Sequence, residues 1–196
     1  MQQRFTLIVG LGNPGAEYAQ TRHNAGFWFV DALAEKYNGR FSSNKKLRAE
    51  IAEISIQSMR VRLLKPQTFM NLSGEAVITA ANYFKIEPEQ ILVAYDEIDF
   101  EPGKIRLKFN GGHAGHNGIR NIIAHLGRNF WRLRIGVGHP GEQSKVVSHV
   151  LKRASGSDAD AIMTTITRGI DVLPTLIKDG AERAQLILHT DDHHGN

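Results

Sequence analysis

The chain has 196 residues, of which 41% are hydrophobic and 22% are charged, as expected for a globular protein long enough to bury a core. It contains no cysteine, which excludes disulfides, thiolate metal ligands and a cysteine nucleophile. The net charge of +4 permits a nucleic-acid partner without establishing one. No apolar run approaches the length of a membrane span and no signal-peptide pattern opens the chain, so we expect a cytoplasmic protein without a membrane partner.

The first half of the chain predicts strands and helices in alternation. Phe5–Val9 is a compact apolar run that predicts a buried strand. Asn24 is a candidate cap for a helix that ends near Tyr37. The segments "AEIAEISI" and "MRVRLLK" alternate apolar and polar residues, which predicts two paired strands joined near Gln57–Ser58. After the loop "PQTFMN", Ser73 is a candidate cap for the helix "GEAVITAANYFK".

The second half continues the alternation. "ILVAYDEID" predicts a buried strand with carboxylates at its end, and "KIRLKF" and "WRLRIGVG" predict two further strands. Between these two, the glycine-rich loop "NGGHAGHNG" precedes a helix that ends near Leu126. Lys145–Leu151 predicts a short helix, Asp158 begins a longer one, and Gly180 separates that helix from the last.

This order of elements predicts the fold class. Strands that alternate with helices, together with one antiparallel pair, indicate an α/β fold with a mixed sheet. We therefore expect residues 1–196 to form a single-domain three-layer sandwich, in which helices flank a mixed, twisted sheet. The polar end of the chain, "HTDDHHGN", predicts disorder over the last few residues.

Three glycines near the N-terminus raise the question of a dinucleotide cofactor. Gly10, Gly12 and Gly15 have the G-x-G-x-x-G spacing, but that motif also needs an unbroken helix and a second strand soon after it. Here "TRHNAG" interrupts the chain, and the next strand begins only near Arg48. We therefore expect no nicotinamide or flavin cofactor. The strand instead delivers Asn13 to its carboxyl end, either to meet a ligand or to form a local Asx-turn.

Other polar residues in loops and at strand ends could carry chemistry. They are His23, Asn71, Asp96 with its neighbours Glu97 and Asp99, and the loop residues His113, His116 and Asn117. Two histidines three positions apart raise the question of a metal, but no cysteine and no H-E-x-x-H sequence accompanies them, so we expect no metal. A histidine base, a carboxylate that orients it and neutral amides fit water-mediated hydrolysis. Each residue alone has a structural alternative; Asn71, for example, could cap the following helix.

Five segments of the chain together resemble bacterial peptidyl-tRNA hydrolases. They are "VGLGNPGAEYAQTRHNAG", "KPQTFMNLSG", "DEIDFEPGKIRLK", "GGHAGHNGIRNI" and "RLRIGVGHPG". They occur in the family's order and at compatible spacing, and the resemblance is strong from Phe5 to Leu151 and looser over the C-terminal helices. It implies an enzyme that hydrolyses the ester between a peptide, or an N-blocked aminoacyl group, and the 3′ end of tRNA. Such an enzyme recycles tRNA after abortive translation and acts as a monomer without a cofactor or an obligate protein partner.

The resemblance also implies roles for individual residues. His23 would be the catalytic base that activates water, and Asp96 would bind its other ring nitrogen. Lys108 and Arg134 would hold the terminal phosphate of tRNA, and Lys145 would add a further tRNA contact, whereas Gln143 stands where some members have a lysine. The substrate-binding residues would be Asn13, Tyr18, Phe69, Met70, Asn71, His116 and Asn117. Which of the three asparagines holds the water or the oxyanion stays open.

Two other functions remain as alternatives. The same scaffold could serve as a catalytically silent RNA-binding protein, although the His23–Asp96 pair argues against this. It could also be an esterase for small molecules, which would show no salt-sensitive preference for substrates linked to tRNA.

Overall fold

Seven strands form one mixed sheet at the centre of the molecule. The structure, a computed structural model, describes residues 4–190. The strands are β1 Leu7–Gly10, β2 Ser42–Asn44, β3 Ala49–Ile56, β4 Met59–Pro66, β5 Ile91–Glu97, β6 Ile105–Phe109 and β7 Trp131–Gly136. Their order across the sheet is β2-β3-β4-β1-β5-β7-β6. The pairs β1–β4, β1–β5 and β5–β7 are parallel, and the other three pairs are antiparallel.

Helices cover both faces of this sheet. They are α1 Ala25–Lys36, α2 Ser73–Phe84, α3 Asn117–Leu126, α4 Val146–Val150, α5 Gly156–Asp179 and α6 Ala181–Thr190. Successive residues of a strand point to opposite faces. In β1, Leu7 and Val9 therefore join the core under α2 and α3, whereas Ile8 joins the core under α1 and α5. The predicted three-layer α/β arrangement with a mixed sheet is confirmed.

Several local predictions need correction. Strand β2 was missed because its three residues are polar and largely exposed, so they show no alternation. The β6–β7 pair is antiparallel, which the sequence did not predict. Helix α5 begins at Gly156, two residues before Asp158, and the Ser155 hydroxyl caps it. Of the terminal segment for which we predicted disorder, His189 and Thr190 lie in α6, and the rest lies outside the described residues.

The glycines after β1 allow close packing between β1 and α1. A Cβ atom on Gly10 would lie 2.2 Å from the carbonyl oxygen of Gly26, so a side chain at this crossing would clash. After Gly15 the chain makes two short 3₁₀ turns, Ala16–Tyr18 and Arg22–Asn24, before α1 begins. The glycines therefore bring the turn that carries His23 against the carboxyl end of the sheet.

No helix of residues 4–190 combines the length and the apolar composition that crossing a bilayer requires.

Candidate active site

One cavity lies at the carboxyl ends of β1 and β5. It has a volume of about 380 Å³, and the loops before α2 and α3 and the short helix α4 form most of its wall. Parallel strands of an open α/β sheet present their ligand sites at this edge. The cavity is lined by most of the residues that the sequence singled out, namely Asn13, His23, Phe69, Met70, Asn71, Asp96, His116 and Asn117.

The buried carboxylate of Asp96 lies between two histidines. Its Oδ2 lies 2.8 Å from Nδ1 of His23, and its Oδ1 lies 2.8 Å from Nε2 of His116. Of the three carboxylates in "DEID", only Asp96 contacts His23: Glu97 pairs with Arg134 and Asp99 is exposed. The side chain of Asp96 is only 1% exposed, so water does not compete for these two hydrogen bonds.

The hydrogen bonds around Asp96 fix where each imidazole carries its proton. The backbone N–H of Ile119 donates to Nδ1 of His116, so the proton of a neutral His116 is on Nε2, facing Asp96. An ionised carboxylate only accepts, so His23 donates from Nδ1. Nε2 of His23 has no hydrogen-bond partner among residues 4–190 and is the nitrogen left for the cavity.

This arrangement shifts the pKa values of both members of the pair. Burial is the largest single influence on His23 and lowers its pKa, but the charge and hydrogen bond of Asp96 together outweigh it, so the pKa of His23 is raised. Burial would raise the pKa of Asp96. Attraction to His23 and His116 and the hydrogen bonds from both outweigh this effect and hold the pKa of Asp96 well below its usual range. Asp96 is therefore ionised at neutral pH.

Asn13 joins the end of β1 to the loop after β4. Its side-chain Oδ1 accepts a hydrogen bond from the backbone N–H of Met70 at 2.7 Å. Because a backbone N–H can only donate, the amide orientation of Asn13 is fixed, and its Nδ2 is the group left for a ligand. Asn24 clamps the backbone of Asn13, since its Oδ1 accepts from Asn13 N and its Nδ2 donates to Asn13 O. Asn24 does hold the predicted cap position before α1, but its side chain makes no capping hydrogen bond there.

The other two asparagines differ in what they can offer. Nη1 of Arg120 donates to Oδ1 of Asn117, which leaves Nδ2 of Asn117 as a donor. The exposed side chain of Asn71 has no hydrogen-bond partner among the described residues and caps nothing: the residue before α2 is Leu72. Ser73 is not a cap either, because it is the first residue of α2 and its hydroxyl donates to the carbonyl oxygen of Met70.

Comparison with known proteins decides the family. The family model described as "Peptidyl-tRNA hydrolase" matches residues 7–194. The chain belongs to the peptidyl-tRNA hydrolase family. The resemblance found in the sequence is thereby confirmed.

Individual relatives agree with this assignment. A peptidyl-tRNA hydrolase of Xanthomonas oryzae pv. oryzae is 54% identical over 94% of this chain and 95% of its own length. One of Stenotrophomonas maltophilia is 53% identical over 94% of this chain and 96% of its own length. The crystal structure of peptidyl-tRNA hydrolase from Acinetobacter baumannii is 45% identical, with a TM-score of 0.94 over 97% of both chains.

One side of the cavity of this peptidyl-tRNA hydrolase family member is apolar. Phe69, 59% exposed, and Met70 lie on the loop after β4. Val146, Val147, Val150 and Leu151, on and just after α4, add further apolar lining. The sequence predicted this short helix without assigning it to the site, because the exposure of Val147 and Leu151 is visible only in the structure. Tyr18 does not line the cavity but contacts the ring of Phe69 edge-on.

Arg22 anchors helix α4 beside His23. It is buried, and its Nη1 donates to the carbonyl oxygens of His149 and Arg153 at the end of that helix. Its Nη2 pairs with Asp158 at the start of α5. No pattern in the sequence indicated this role, because these contacts join residues more than a hundred positions apart.

The predicted tRNA-binding residues lie outside the cavity. Lys108 is exposed on β6, and Lys145 pairs on the surface with Glu142. Arg134 donates from Nε to Glu97 at 2.9 Å, and its side chain is 21% exposed. Gln143 lines the cavity, whereas Lys145 does not.

The sequence missed the role of Arg132. This buried residue donates hydrogen bonds to the carbonyl oxygens of Gly111 and Gly112, and so holds the glycine-rich loop against the sheet. Burial lowers the pKa of its guanidinium. Lys108 lies near the same loop, since its Nζ would come within 3.3 Å of a Cβ on Gly111.

Among residues 4–190, one cluster has the spacing of a metal site. His23, Asp96 and His116 have potential ligand atoms within 4.8 Å of one another. The two imidazole nitrogens that face Asp96 already donate hydrogen bonds to its two oxygens. Binding an ion there would require both bonds to break and both nitrogens to lose their protons.

Proposed function

We infer that this chain hydrolyses the ester that joins a peptide to the 3′ end of tRNA, with water activated by His23. The observation that carries the mechanism is the hydrogen bond from His23 Nδ1 to Asp96, which leaves Nε2 as a base toward the cavity. Membership of the peptidyl-tRNA hydrolase family supports the substrate. A positioned base of this kind typically accelerates a reaction by about 10²- to 10⁴-fold.

The reaction proceeds in two steps. Nε2 of His23 takes a proton from water as the water oxygen attacks the ester carbonyl, and the carbonyl oxygen becomes an oxyanion. The resulting imidazolium is stabilised by the ionised Asp96. The intermediate then collapses, the bond to the 3′ oxygen of the terminal ribose breaks, and that oxygen receives the proton from His23. The products are a tRNA with a free 3′ hydroxyl and a peptide carboxylic acid, which then loses its proton to water.

Asn13 and Asn117 are suited to stabilise the oxyanion. Each has its side-chain oxygen engaged, by Met70 N–H and by Arg120 respectively, so each offers an N–H donor. Donors held in place before the reaction stabilise developing negative charge without reorganisation. Asn71, with both ends of its amide available, is suited to the peptide bond, which carries both a donor and an acceptor.

The walls of the cavity fit a peptide better than a free amino acid. The apolar residues of the β4–α2 loop and of α4 provide surface for peptide side chains. A free aminoacyl ester ends in an ammonium, which would lose hydration beside the amides of Asn13, Asn71 and Asn117, because these neutral groups offer it no opposite charge. An acylated nitrogen has no such charge, so we propose that the site discriminates against free aminoacyl-tRNA at this nitrogen.

The basic residues outside the cavity are suited to the tRNA. We propose that Lys108 and Arg134 contact the terminal phosphate and that Lys145 adds a further contact. Phosphate contacts give affinity without reading sequence, which suits an enzyme that accepts many tRNAs. We further propose that the chain forms one domain and acts as a cytoplasmic monomer in the rescue of stalled translation.

Hydrolysis of three esters tests this function. We expect rapid release of the N-acetylated amino acid from its tRNA, and slow release of the same amino acid when it carries no acetyl group. A small-molecule ester of the same N-acetylated amino acid is the third substrate. Tight tRNA binding without hydrolysis would identify a silent RNA-binding protein. Equal kcat/KM on the small ester and the tRNA ester, with no salt dependence, would identify a general esterase.

A further inference from the structure

His116 stands at the centre of a chain of hydrogen bonds that runs in one direction. Ile119 N–H, in the first turn of α3, donates to His116 Nδ1 at 3.2 Å, and His116 Nε2 donates to Asp96 Oδ1. The other oxygen of Asp96 accepts from His23 Nδ1. The donor that begins this chain is a backbone amide, which cannot reverse its direction.

The ring of His116 is also held on both sides. It packs edge-on against Tyr95, with ring centroids 5.0 Å apart, and its centroid lies 5.0 Å from that of His23. Its side chain is only 10% exposed, although it lines the cavity. Both ring nitrogens therefore have protein partners, which leaves His116 no free hydrogen-bonding nitrogen for a substrate.

We propose that His116 is a positioning residue rather than a substrate-binding residue. Because His116 donates a hydrogen bond to one oxygen of residue 96, the other oxygen accepts from Nδ1–H of His23. The proton of His23 is therefore on Nδ1, and the lone pair of Nε2 faces the cavity. This inference rests on the proposed function, in which His23 is the base.

A single substitution distinguishes positioning from substrate binding. Asn in place of His116 keeps an oxygen that can cap α3 through Ile119 N–H, but its shorter side chain does not reach Asp96. We expect His116→Asn to lower kcat by about tenfold or more with little change in KM, because Asp96 loses one of its two donors. A raised KM with unchanged kcat would restore His116 to the substrate-binding residues and overturn the proposal.

Combining this change with Asp96→Asn gives a sharper test. An asparagine side chain at position 96 has only one oxygen, and His116 Nε2–H takes it. The amide NH₂ then faces Nδ1 of His23 and forces the proton of His23 onto Nε2, the wrong nitrogen for a base. In enzymes with a histidine–carboxylate pair, this wrong tautomer costs about 10⁴-fold in kcat. With His116→Asn added, the amide at position 96 is free to turn its oxygen to His23.

We therefore expect the Asp96→Asn/His116→Asn double variant to be at least about tenfold more active than Asp96→Asn alone. If the two substitutions acted independently, their reductions in rate would multiply, and the double variant would be slower than Asp96→Asn. A double variant no faster than Asp96→Asn therefore overturns the proposal. The matched control is Asp96→Asn/His113→Ala. His113 lines the same cavity, but its Nδ1 bonds Gly115 N and not Asp96. An equal rescue by this control would show unspecific loosening and would also overturn the proposal.

Nitrogen NMR of the histidine side chains supplies a measurement independent of activity. The His23 signals are assigned by their absence from His23→Ala. We expect the His23 proton on Nδ1 in the wild type, on Nε2 in Asp96→Asn and on Nδ1 again in the double variant. An unchanged tautomer across the three proteins contradicts the role of His116. Activity that survives His23→Ala contradicts the role of His23 as the base, and a wild-type protein that does not hydrolyse N-acetylated aminoacyl-tRNA contradicts the proposed function. These failures are therefore distinguishable from a failure of the role of His116.

Discussion

The side-chain oxygen of Asn13 accepts a hydrogen bond from the backbone N–H of Met70 at 2.7 Å, and this bond ties the end of β1 to the loop that carries Phe69 and Asn71. It fixes the amide of Asn13 so that its NH₂ is the group left for a ligand. The bond therefore both shapes the cavity wall and determines the chemistry that Asn13 can offer.

Asn13→Asp removes the NH₂ donor of this side chain but keeps an oxygen for the hydrogen bond from Met70 N–H. The carboxylate keeps an oxygen for Met70 N–H but replaces the NH₂ with a second oxygen. We expect kcat to fall by about 10²-fold or more, the size of one lost oxyanion donor, in single-turnover hydrolysis of N-acetylated aminoacyl-tRNA.

The control for this change is Asn24→Asp, which places a carboxylate against the backbone of Asn13. Asn24 does not line the cavity, and among the described residues its side chain bonds only the backbone of Asn13. We expect a lower Tm and a loss of kcat below about tenfold. If the two variants lose activity equally, distortion of the turn explains both.

Asn71→Asp separates substrate positioning from stability. The side chain of Asn71 has no hydrogen-bond partner among the described residues, so we expect a Tm near that of the wild type. An ionised carboxylate cannot donate to a peptide carbonyl and places negative charge near the oxyanion, so we expect an activity loss of about 10²-fold. Thermal unfolding and single-turnover rates on the same preparation test this. A stable and active Asn71→Asp enzyme would remove Asn71 from the site.

Asp96→Asn is expected to change the pH profile as well as the rate. His23 acts as a base only when neutral, and Asp96 raises its pKa against the effect of burial. The wild-type rate should therefore fall with decreasing pH below a pKa that is higher than usual for histidine. Without the carboxylate, burial remains and lowers the pKa, so the acidic limb of kcat moves to lower pH while the plateau falls. If the acidic limb of the kcat profile lies at the same pH in Asp96→Asn and in the wild type, the assignment of this pKa to His23 is contradicted.

Lys108→Ala tests the tRNA contact. Lys108 is exposed, so its removal should not affect Tm. We expect a higher KM for full-length tRNA substrates and an unchanged kcat at saturation. The slope of log kcat/KM against log salt concentration should become less negative by about one. A substrate trimmed to the CCA end serves as the control and should be unaffected. Equal losses on both substrates would place Lys108 away from the terminal phosphate.

Arg134 is less suitable for that test. Its Nε holds the buried carboxylate of Glu97, so Arg134→Ala would leave a charge without its partner and lower the Tm as well. Arg134→Lys keeps the charge and is the better variant for a KM measurement.

Sequence periodicity predicted the elements that bury a regular face. Strand β5 was predicted from its apolar run, and the structure buries all seven of its residues; the β3–β4 hairpin was predicted because its residues alternate. Gln57 and Ser58 do form the turn between β3 and β4, with φ of 50° and 62°. Strand β2 was not predictable, since it is short and polar and only its pairing with β3 defines it.

The sequence could predict which residue types carry the chemistry of the site, but not the contacts between residues that are distant in the chain. The sequence marked His23 and Asp96 as candidates, but their 2.8 Å contact depends on α1 packing against β5. Hydrogen bonds to other residues explain the errors in capping. Asn24 and Ser73 have the right residue types at helix starts, but the side chain of Asn24 bonds the backbone of Asn13, and the hydroxyl of Ser73 donates to the carbonyl oxygen of Met70, three residues earlier. His116 caps α3 with an imidazole, which residue preferences at helix caps do not suggest.

We propose above all that His23 is the base for hydrolysis of peptidyl-tRNA. The most direct measurement is the single-turnover rate of His23→Ala on N-acetylated aminoacyl-tRNA, with tRNA binding measured on the same protein. We predict that the rate falls by about 10²- to 10⁴-fold while binding stays near the wild-type value. A variant that binds tRNA normally and keeps more than about a tenth of the wild-type rate would contradict the claim.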